Sequence, residues 1–144
     1  MSVYDAKATW LESVWGAVAE AMMNAGLKYD LISDAPVERF GSSDLAMWRR
    51  DDDLGLDRYV VVSVVPFDIE GSDDPPCMVE VSVGADDGTR FARHVVARRN
   101  CYGIAGVMEF ASRGVLETAI EHADALRPDD LDLHRVGGVT ESGR

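Results

Sequence analysis

The chain has 144 residues, of which 47% are hydrophobic and 28% charged, a composition typical of one globular domain and not of a disordered chain. Its formal net charge of −12 argues against nucleic acid or an anionic membrane as the main partner. The chain shows no signal-peptide pattern and no apolar stretch of the roughly 18 residues that span a membrane. We therefore expect a cytoplasmic protein.

The first element is predicted to be an amphipathic helix that runs to about Ala25. Its apolar residues recur three and four positions apart, which places them on one helical face: Leu11, Val14, Trp15, Val18, Met22 and Ala25. Trp10 lies at the margin of this stripe and is predicted to be partly exposed. Such a helix needs a second apolar surface to cover its stripe.

Four strands are predicted after this helix. Residues 58–65 include five valines and are expected to form a central strand that is buried on both faces. Residues 45–50 and 77–83 alternate between two faces. Asp87-Gly88 is a strong hairpin signal that connects the third strand to a fourth at residues 89–97.

A second long helix is predicted over residues 102–126, with Asn100 as its cap and a bend at Gly114. We therefore predict an α+β fold in which an antiparallel sheet of three to five strands carries the N-terminal and C-terminal amphipathic helices on one face. Residues 1–127 would form the domain, and residues 128–144 a flexible acidic tail.

The acidic residues are concentrated in one window. Residues 51–87 hold eleven acidic residues and one basic residue, Arg58, and so account for ten of the twelve net negative charges. In an antiparallel meander the first and third turns lie at the same end of the sheet, which predicts one acidic edge. Its carboxylates would be those of Asp51, Asp52, Asp53, Asp57, Asp86 and Asp87.

We predict that this acidic edge, with Trp48 beside it, binds a protein partner that has a basic patch. Solvated turns are an alternative, because aspartate favours turns for backbone reasons. A divalent ion is another, but the spacing of Asp51, Asp53 and Asp57 lacks the glycine and the bidentate glutamate of a calcium loop.

No catalytic or metal-binding motif is identified. Cys77, Cys101, His94 and His122 lack the spacing of a zinc site or of a Cys/His pair, and both cysteines are predicted to be reduced and buried. No glycine-rich phosphate loop follows a strand. We therefore predict no catalytic residue, no cofactor and no metal.

The helix at residues 11–25, the strands between Arg58 and Val96 with their Asp87-Gly88 turn, and the closing helix through Ala123 together resemble the type III secretion chaperone-like class of small acidic α+β proteins. That class usually places a helix between its strands, and none is predicted here. The resemblance implies a protein-binding role and carries over no functional residue. Toxin-immunity proteins and phage-encoded inhibitors have similar size and charge.

These observations favour a non-enzymatic interaction module, a chaperone, adaptor or inhibitor, that binds through the acidic edge or an exposed sheet face and forms a homodimer. One alternative is a ligand-binding or enzymatic domain with a pocket between sheet and helices. Another is a DNA-mimic inhibitor, whose carboxylates would follow the spacing of phosphates.

Overall fold

A computed structural model describes residues 3–25, 28–31, 37–39, 42–67, 73–131, 133–136 and 139–140. It confirms the α+β class, because an antiparallel sheet is combined with helices. The helices are α1 Val3–Ala25, α2 Gly103–Phe110 and α3 Leu116–Ala125. The strands are β1 Asp30–Leu31, β2 Val37–Arg39, β3 Ser42–Asp51, β4 Leu56–Pro66, β5 Pro76–Asp86, β6 Arg90–Tyr102, β7 Leu133–Val136 and β8 Val139–Thr140.

Four long strands, β3 to β6, form the centre of the sheet. The strand order is β1-β3-β4-β5-β6-β7-β8, with β2 also paired to β3, and every pair is antiparallel. The first three predicted strands lie within β3, β4 and β5, the fourth begins one residue before β6, and each observed strand is longer than predicted. At the centre of the sheet, Met47 of β3 lies opposite Val60 of β4, and Val60 lies opposite Val83 of β5.

Burial alternates along β4, so the sheet has one buried face and one outer face. Leu56, Arg58 and Val60 are buried, whereas Tyr59 and Val61 are half-buried. The prediction that this strand is buried on both faces is therefore wrong. Valine is favoured in strands because its branched side chain fits the pleated backbone, and this preference does not require burial on both faces.

One core cluster joins the helices to the buried face. Val18 of α1, Val107 of α2 and Leu116 of α3 belong to the same cluster as Val62 and Val81 of the sheet. Trp10 is also in this cluster and is only 5% exposed, so its predicted partial exposure is wrong. Its indole N–H donates to Asp74 (2.8 Å), which satisfies the polar atom of a ring that can then be buried.

A second, smaller cluster lies at the end of the buried face that holds the acidic turns, and includes Leu56, Ala85, Leu126 and Leu131. Leu131, 1% exposed, follows a 3₁₀ turn at Pro128–Asp130. Strand β7 then pairs with β6. The first part of the segment predicted to be a tail thus contributes to the core and to the sheet.

The long C-terminal helix is interrupted at Gly114, where a bend was predicted. Gly114 has φ +78° and separates α2 from α3. The predicted cap at Asn100 is wrong, because β6 continues to Tyr102 and α2 begins only at Gly103. The carboxylate of Asp74 instead accepts a hydrogen bond from the backbone N–H of Ile104 (2.8 Å), one of the free amides in the first turn of α2.

Candidate functional site

The structure places the six predicted carboxylates at one end of the sheet. Asp57 of β4 lies directly opposite Asp86 of β5 in the antiparallel register. Residues 52–55 connect β3, which ends at Asp51, to β4, and Asp87 lies in the turn between β5 and β6, so both turns are at this end. The predicted gathering of these carboxylates therefore occurs. Whether they can bind a partner depends on how many of them are not already paired within the fold.

Asp51 is neutralised by a buried cation. Nη2 and Nε of Arg58 donate to its carboxylate at 2.9 and 3.2 Å, and the backbone N–H of Leu54 donates to its other oxygen at 3.2 Å. These hydrogen bonds, that of Arg58 first, hold the pKa of Asp51 below its ordinary value. Asp51 therefore belongs to the structure of the loop and is not a free charge.

The turn aspartates are also engaged. Asp87 accepts backbone N–H donors from Arg90 (2.7 Å) and Thr89 (2.9 Å), and these donors lower the pKa of Asp87. Asp86 is only 8% exposed and accepts the N–H of Gly88 at 2.6 Å. Both carboxylates therefore serve the hairpin turn, as aspartate commonly does.

Arg50 binds two of the remaining acids. Its guanidinium lies 3.1 Å from Asp57 and 3.4 Å from Asp52. The Asp52 side chain is nevertheless 91% exposed, and Asp53 is exposed with no ion pair among the described residues. The acidic end therefore offers two solvated carboxylates to a partner, far fewer than the six that the sequence suggested.

Arg58 itself was not singled out by the sequence analysis as a structural residue. Its side chain is 1% exposed, and Nη1 donates to the backbone carbonyls of Ala123 and, at 2.8 Å, Leu126. These carbonyls end α3, where the helix dipole favours a cation. Its position could have indicated this structural role, because Arg58 is the one basic residue in an acidic window and lies shortly before a run of valines.

The outer face is organised in rows that follow the strand register. Two rows form its centre: Trp48, Tyr59, Gly84 and Arg93 in one, and Ala46, Val61, Ser82 and Val95 in the other. Four of these residues are apolar or aromatic and half-buried, namely Ala46, Trp48, Tyr59 and Val61, whereas Ser82 is 1% exposed and Val95 is 52% exposed. Nε of Arg93 donates to Ser82 Oγ at 3.1 Å. Trp48, predicted as an interface residue, thus lies in the centre of this face.

Polar rows lie on either side of this centre. On one side Ser63 donates to Asp44 (2.6 Å), and Arg98 pairs with Glu80 (2.6 Å). On the other side Arg50 pairs with Asp57 across β3 and β4. An apolar, aromatic centre inside a polar rim is the usual anatomy of a protein interface. None of the sheet residues in the two core clusters belongs to this face.

The cysteines lie opposite each other on β5 and β6, and both are free and buried. Burial raises the pKa of Cys77 to about 12 and also raises the pKa of Cys101, so both thiols are protonated at neutral pH. His94 on β6 and His122 on α3 are exposed. Among the residues that the structure describes, no three His, Cys, Asp or Glu side chains are grouped as metal ligands.

Tyr29, Arg49 and Asp124 connect the sheet to α3. The Tyr29 hydroxyl and the Arg49 guanidinium both donate to Oδ1 of Asp124, at 2.7 and 2.9 Å, and the guanidinium also lies 5.6 Å from the centre of the tyrosine ring. Burial and the bond to Asp124 raise the pKa of Tyr29. The cluster fixes α3 against the sheet.

The space between sheet and helices is closely packed. A cavity of about 10 Å³ lies there, lined only by apolar residues such as Val62, Val81, Phe110 and Leu116. That volume is the least that one water molecule requires, and its walls offer no polar partner. A small-molecule ligand needs several hundred cubic ångströms.

Comparison with known protein families, curated proteins and solved structures finds no match to this chain. No helix in the described ranges is long and apolar enough to cross a membrane. The fold and its surfaces therefore define the class on their own: a small α+β protein with one half-open sheet face and a partly neutralised acidic end.

Proposed function

We propose that this protein is a non-enzymatic interaction module, a chaperone, adaptor or inhibitor, that binds a protein partner through the outer face of its sheet. In this arrangement the N-terminal and C-terminal helices cover the buried face and leave the outer face to the partner. Trp48, Tyr59 and Val61 supply the apolar centre of the binding surface. This is the exposed-face version of the interaction predicted from the sequence.

The observation that carries the proposal is the composition of the two central rows. Tryptophan, tyrosine and arginine are the residues most enriched at the energetic centres of interfaces, and Trp48, Tyr59 and Arg93 occupy a single row. Their neighbours Val61 and Val95 add apolar surface that a partner can bury. The paired charges around them suit the polar rim.

The acidic end contributes at the margin of this surface. Arg50 and Asp57 lie in the row next to Trp48 and Tyr59, and the exposed carboxylate of Asp52 is bound to the same arginine. A basic patch on the partner would meet Asp52 and Asp53 there. Such rim charges steer association and set its salt dependence more than they set affinity.

The test is capture of partners from a lysate of the source organism by the immobilised protein. Val61→Glu places a charge in the centre of the outer face, and Met23→Glu makes the same change at a 51% exposed residue of α1. We expect the wild type and Met23→Glu to retain one stoichiometric partner and Val61→Glu to lose it. Equal capture by all three proteins, each shown to be folded by circular dichroism, would contradict the proposal.

A further inference from the structure

Among the residues that the structure describes, strand β6 presents a long unpaired edge next to the outer face. It spans Arg90–Tyr102, yet β7 pairs only with Arg90 and Phe91. Across the part of the chain that the structure describes, no strand pairs with residues 92–102 on that side. An unpaired edge carries a row of backbone N–H and C=O groups that can accept a further strand.

The side chains of this edge are exposed and basic. Arg93, Arg98 and Arg99 are exposed, and the whole strand contains no acidic residue although the chain has a net charge of −12. Val95 and Tyr102, at 52% and 83% exposure, add apolar surface. The edge is therefore the positively charged part of an acidic protein.

Each arginine is held in place while remaining accessible. Arg98 is bound to Glu80 with its side chain 60% exposed. The guanidinium of Arg99 lies 5.5 Å from the centre of the Phe110 ring. At physiological ionic strength, charges farther apart than about 8 Å are screened, so these local cations and not the net charge decide which ligand approaches β6.

The outer face alone is smaller than one side of a standard protein interface. Four strands about 4.8 Å apart and five rows of side chains along them, the fifth formed by Val65, Met78 and Asn100, give a projected surface of about 15 by 27 Å, or roughly 400 Å². A standard interface buries about 800 Å² on each partner. A partner that buries a standard area therefore extends beyond this face, and among the described residues the β6 edge is the adjoining unpaired surface.

We propose that β6 binds an extended, acidic segment of the protein partner, which adds to the sheet as a strand along residues 92–102. This inference rests on the proposed function, because the segment belongs to the partner on the outer face. Strand addition satisfies the backbone groups of β6, and acidic side chains pair with its arginines. A second copy of this chain fits less well, because two β6 strands would place six exposed arginines along one seam.

The backbone geometry indicates which amides the added strand would engage. The N–H of Asp87 donates to the carbonyl of Arg90 (3.1 Å), which sets the alternation of hydrogen-bonded pairs along β5 and β6. By this alternation we expect the N–H groups of Arg93 and Val95 to point away from β5. Proline at Val95 removes one of them without breaking a bond to β5.

The test uses a synthetic peptide of about ten residues that alternates glutamate and valine, longer than the five to six residues of a usual strand. The control peptide has proline in place of every second valine and so cannot form the ladder. We expect the first peptide alone to slow hydrogen exchange at Arg93 and Val95. Val95→Pro should abolish its binding.

Charge reversal provides a second, independent variant. Arg98→Glu combined with Arg99→Glu should weaken peptide binding about tenfold, whereas Arg113→Glu, on the helix segment and 54% exposed, should leave it unchanged. Equal binding of the proline peptide, or protection at residues outside β6, would overturn strand addition. So would sedimentation showing that the free chain dimerises and that Val95→Pro makes it monomeric.

Failure of this inference is distinguishable from failure of the proposed function. If the wild type loses its captured partner on Val61→Glu while the peptide does not protect β6, the outer face binds and strand addition is wrong. If the peptide protects β6 but Val61→Glu captures the same partner as the wild type, the edge binds on its own. The strand added to β6 then does not belong to a partner on the outer face.

Discussion

At the scale of single residues, the charges that look most available for function are mostly used for structure. Asp51, Asp86 and Asp87 accept hydrogen bonds that shape two turns, and Arg58 is buried with Asp51 on one side and the end of α3 on the other. A count of charges in the sequence cannot separate a carboxylate that is hydrogen-bonded within the fold from one that is solvated.

Replacing Arg58 tests this structural role. Arg58→Met leaves the Asp51 carboxylate without its buried cation and removes the guanidinium donor from the carbonyls of Ala123 and Leu126, so we expect the free energy of unfolding to fall by about 3 to 5 kcal/mol. Arg98→Met breaks an ion pair whose arginine is 60% exposed and should cost less than about 1 kcal/mol. Urea unfolding of both variants measures the difference, and equal losses would contradict the role assigned to Arg58.

The pH dependence of stability tests the pairing of Asp51. Because Arg58 lowers its pKa in the folded protein, Asp51 contributes stability above its ordinary value of 3.8, and this contribution is lost as the pH falls through the lowered folded value. Asp51→Asn should therefore be clearly less stable than the wild type at neutral pH, and the gap should narrow at acidic pH. A gap that stays constant would be inconsistent with this pairing.

Asp53→Asn is the matched control for this measurement. Asp53 is exposed and has no ion pair in the described part of the chain, so the same substitution should change stability by less than about 0.5 kcal/mol at either pH. A large effect at Asp53 would mean that the loop is sensitive to any loss of charge.

At the scale of elements, two glycines with positive φ allow the chain to enter and bend its C-terminal helix. Gly103 has φ +74° at the start of α2, where a Cβ atom would lie 2.4 to 3.0 Å from the carboxylate atoms of Asp74. Gly114 has a similar φ, but a Cβ atom there meets nothing within 4 Å. Both positions have the left-handed backbone conformation that disfavours a side chain, but only at Gly103 would an added Cβ atom collide with a neighbour.

Alanine at these two positions distinguishes the cost of a left-handed backbone from the cost of a collision between the new Cβ atom and Asp74. Gly114→Ala should cost about 1 to 2 kcal/mol, the usual penalty of left-handed backbone for a residue with a side chain. Gly103→Ala should cost more, because it also displaces the Asp74 carboxylate from Trp10 and Ile104. Thermal unfolding compares the two variants, and equal losses would show that Asp74 moves without cost.

The elements also show how far the sequence could predict the fold. Strands β3 to β6 and the break at Gly114 followed from alternation and turn chemistry, which are local signals. The start of α2 did not, because its first turn is satisfied by Asp74, thirty residues away from Ile104. The sequence predicted where the acidic residues gather, but not how many of their carboxylates stay unpaired. That number depends on ion pairs between neighbouring strands, such as Arg50 with Asp57.

At the scale of the whole molecule, one face of the sheet packs against the helices and, within the described part of the chain, the other does not. Its buried face joins all three helices into one core. Its outer face, half-buried at Trp48, Tyr59 and Val61, adjoins the exposed arginines of β6. The rows that define the outer face come from residues far apart in the chain, such as Trp48 and Arg93, which is why the sequence indicated Trp48 as an interface residue but not the rows. Binding of the partner to this outer face is therefore the property that most needs a direct test.

Site-specific photo-crosslinking in cells tests that claim most directly. A photoreactive phenylalanine analogue at Val61 reports on the outer face, and the same analogue at Met23 reports on exposed α1. We expect a discrete adduct with one protein from Val61 and none from Met23. No adduct from Val61, or the same adducts from both positions, would contradict the claim.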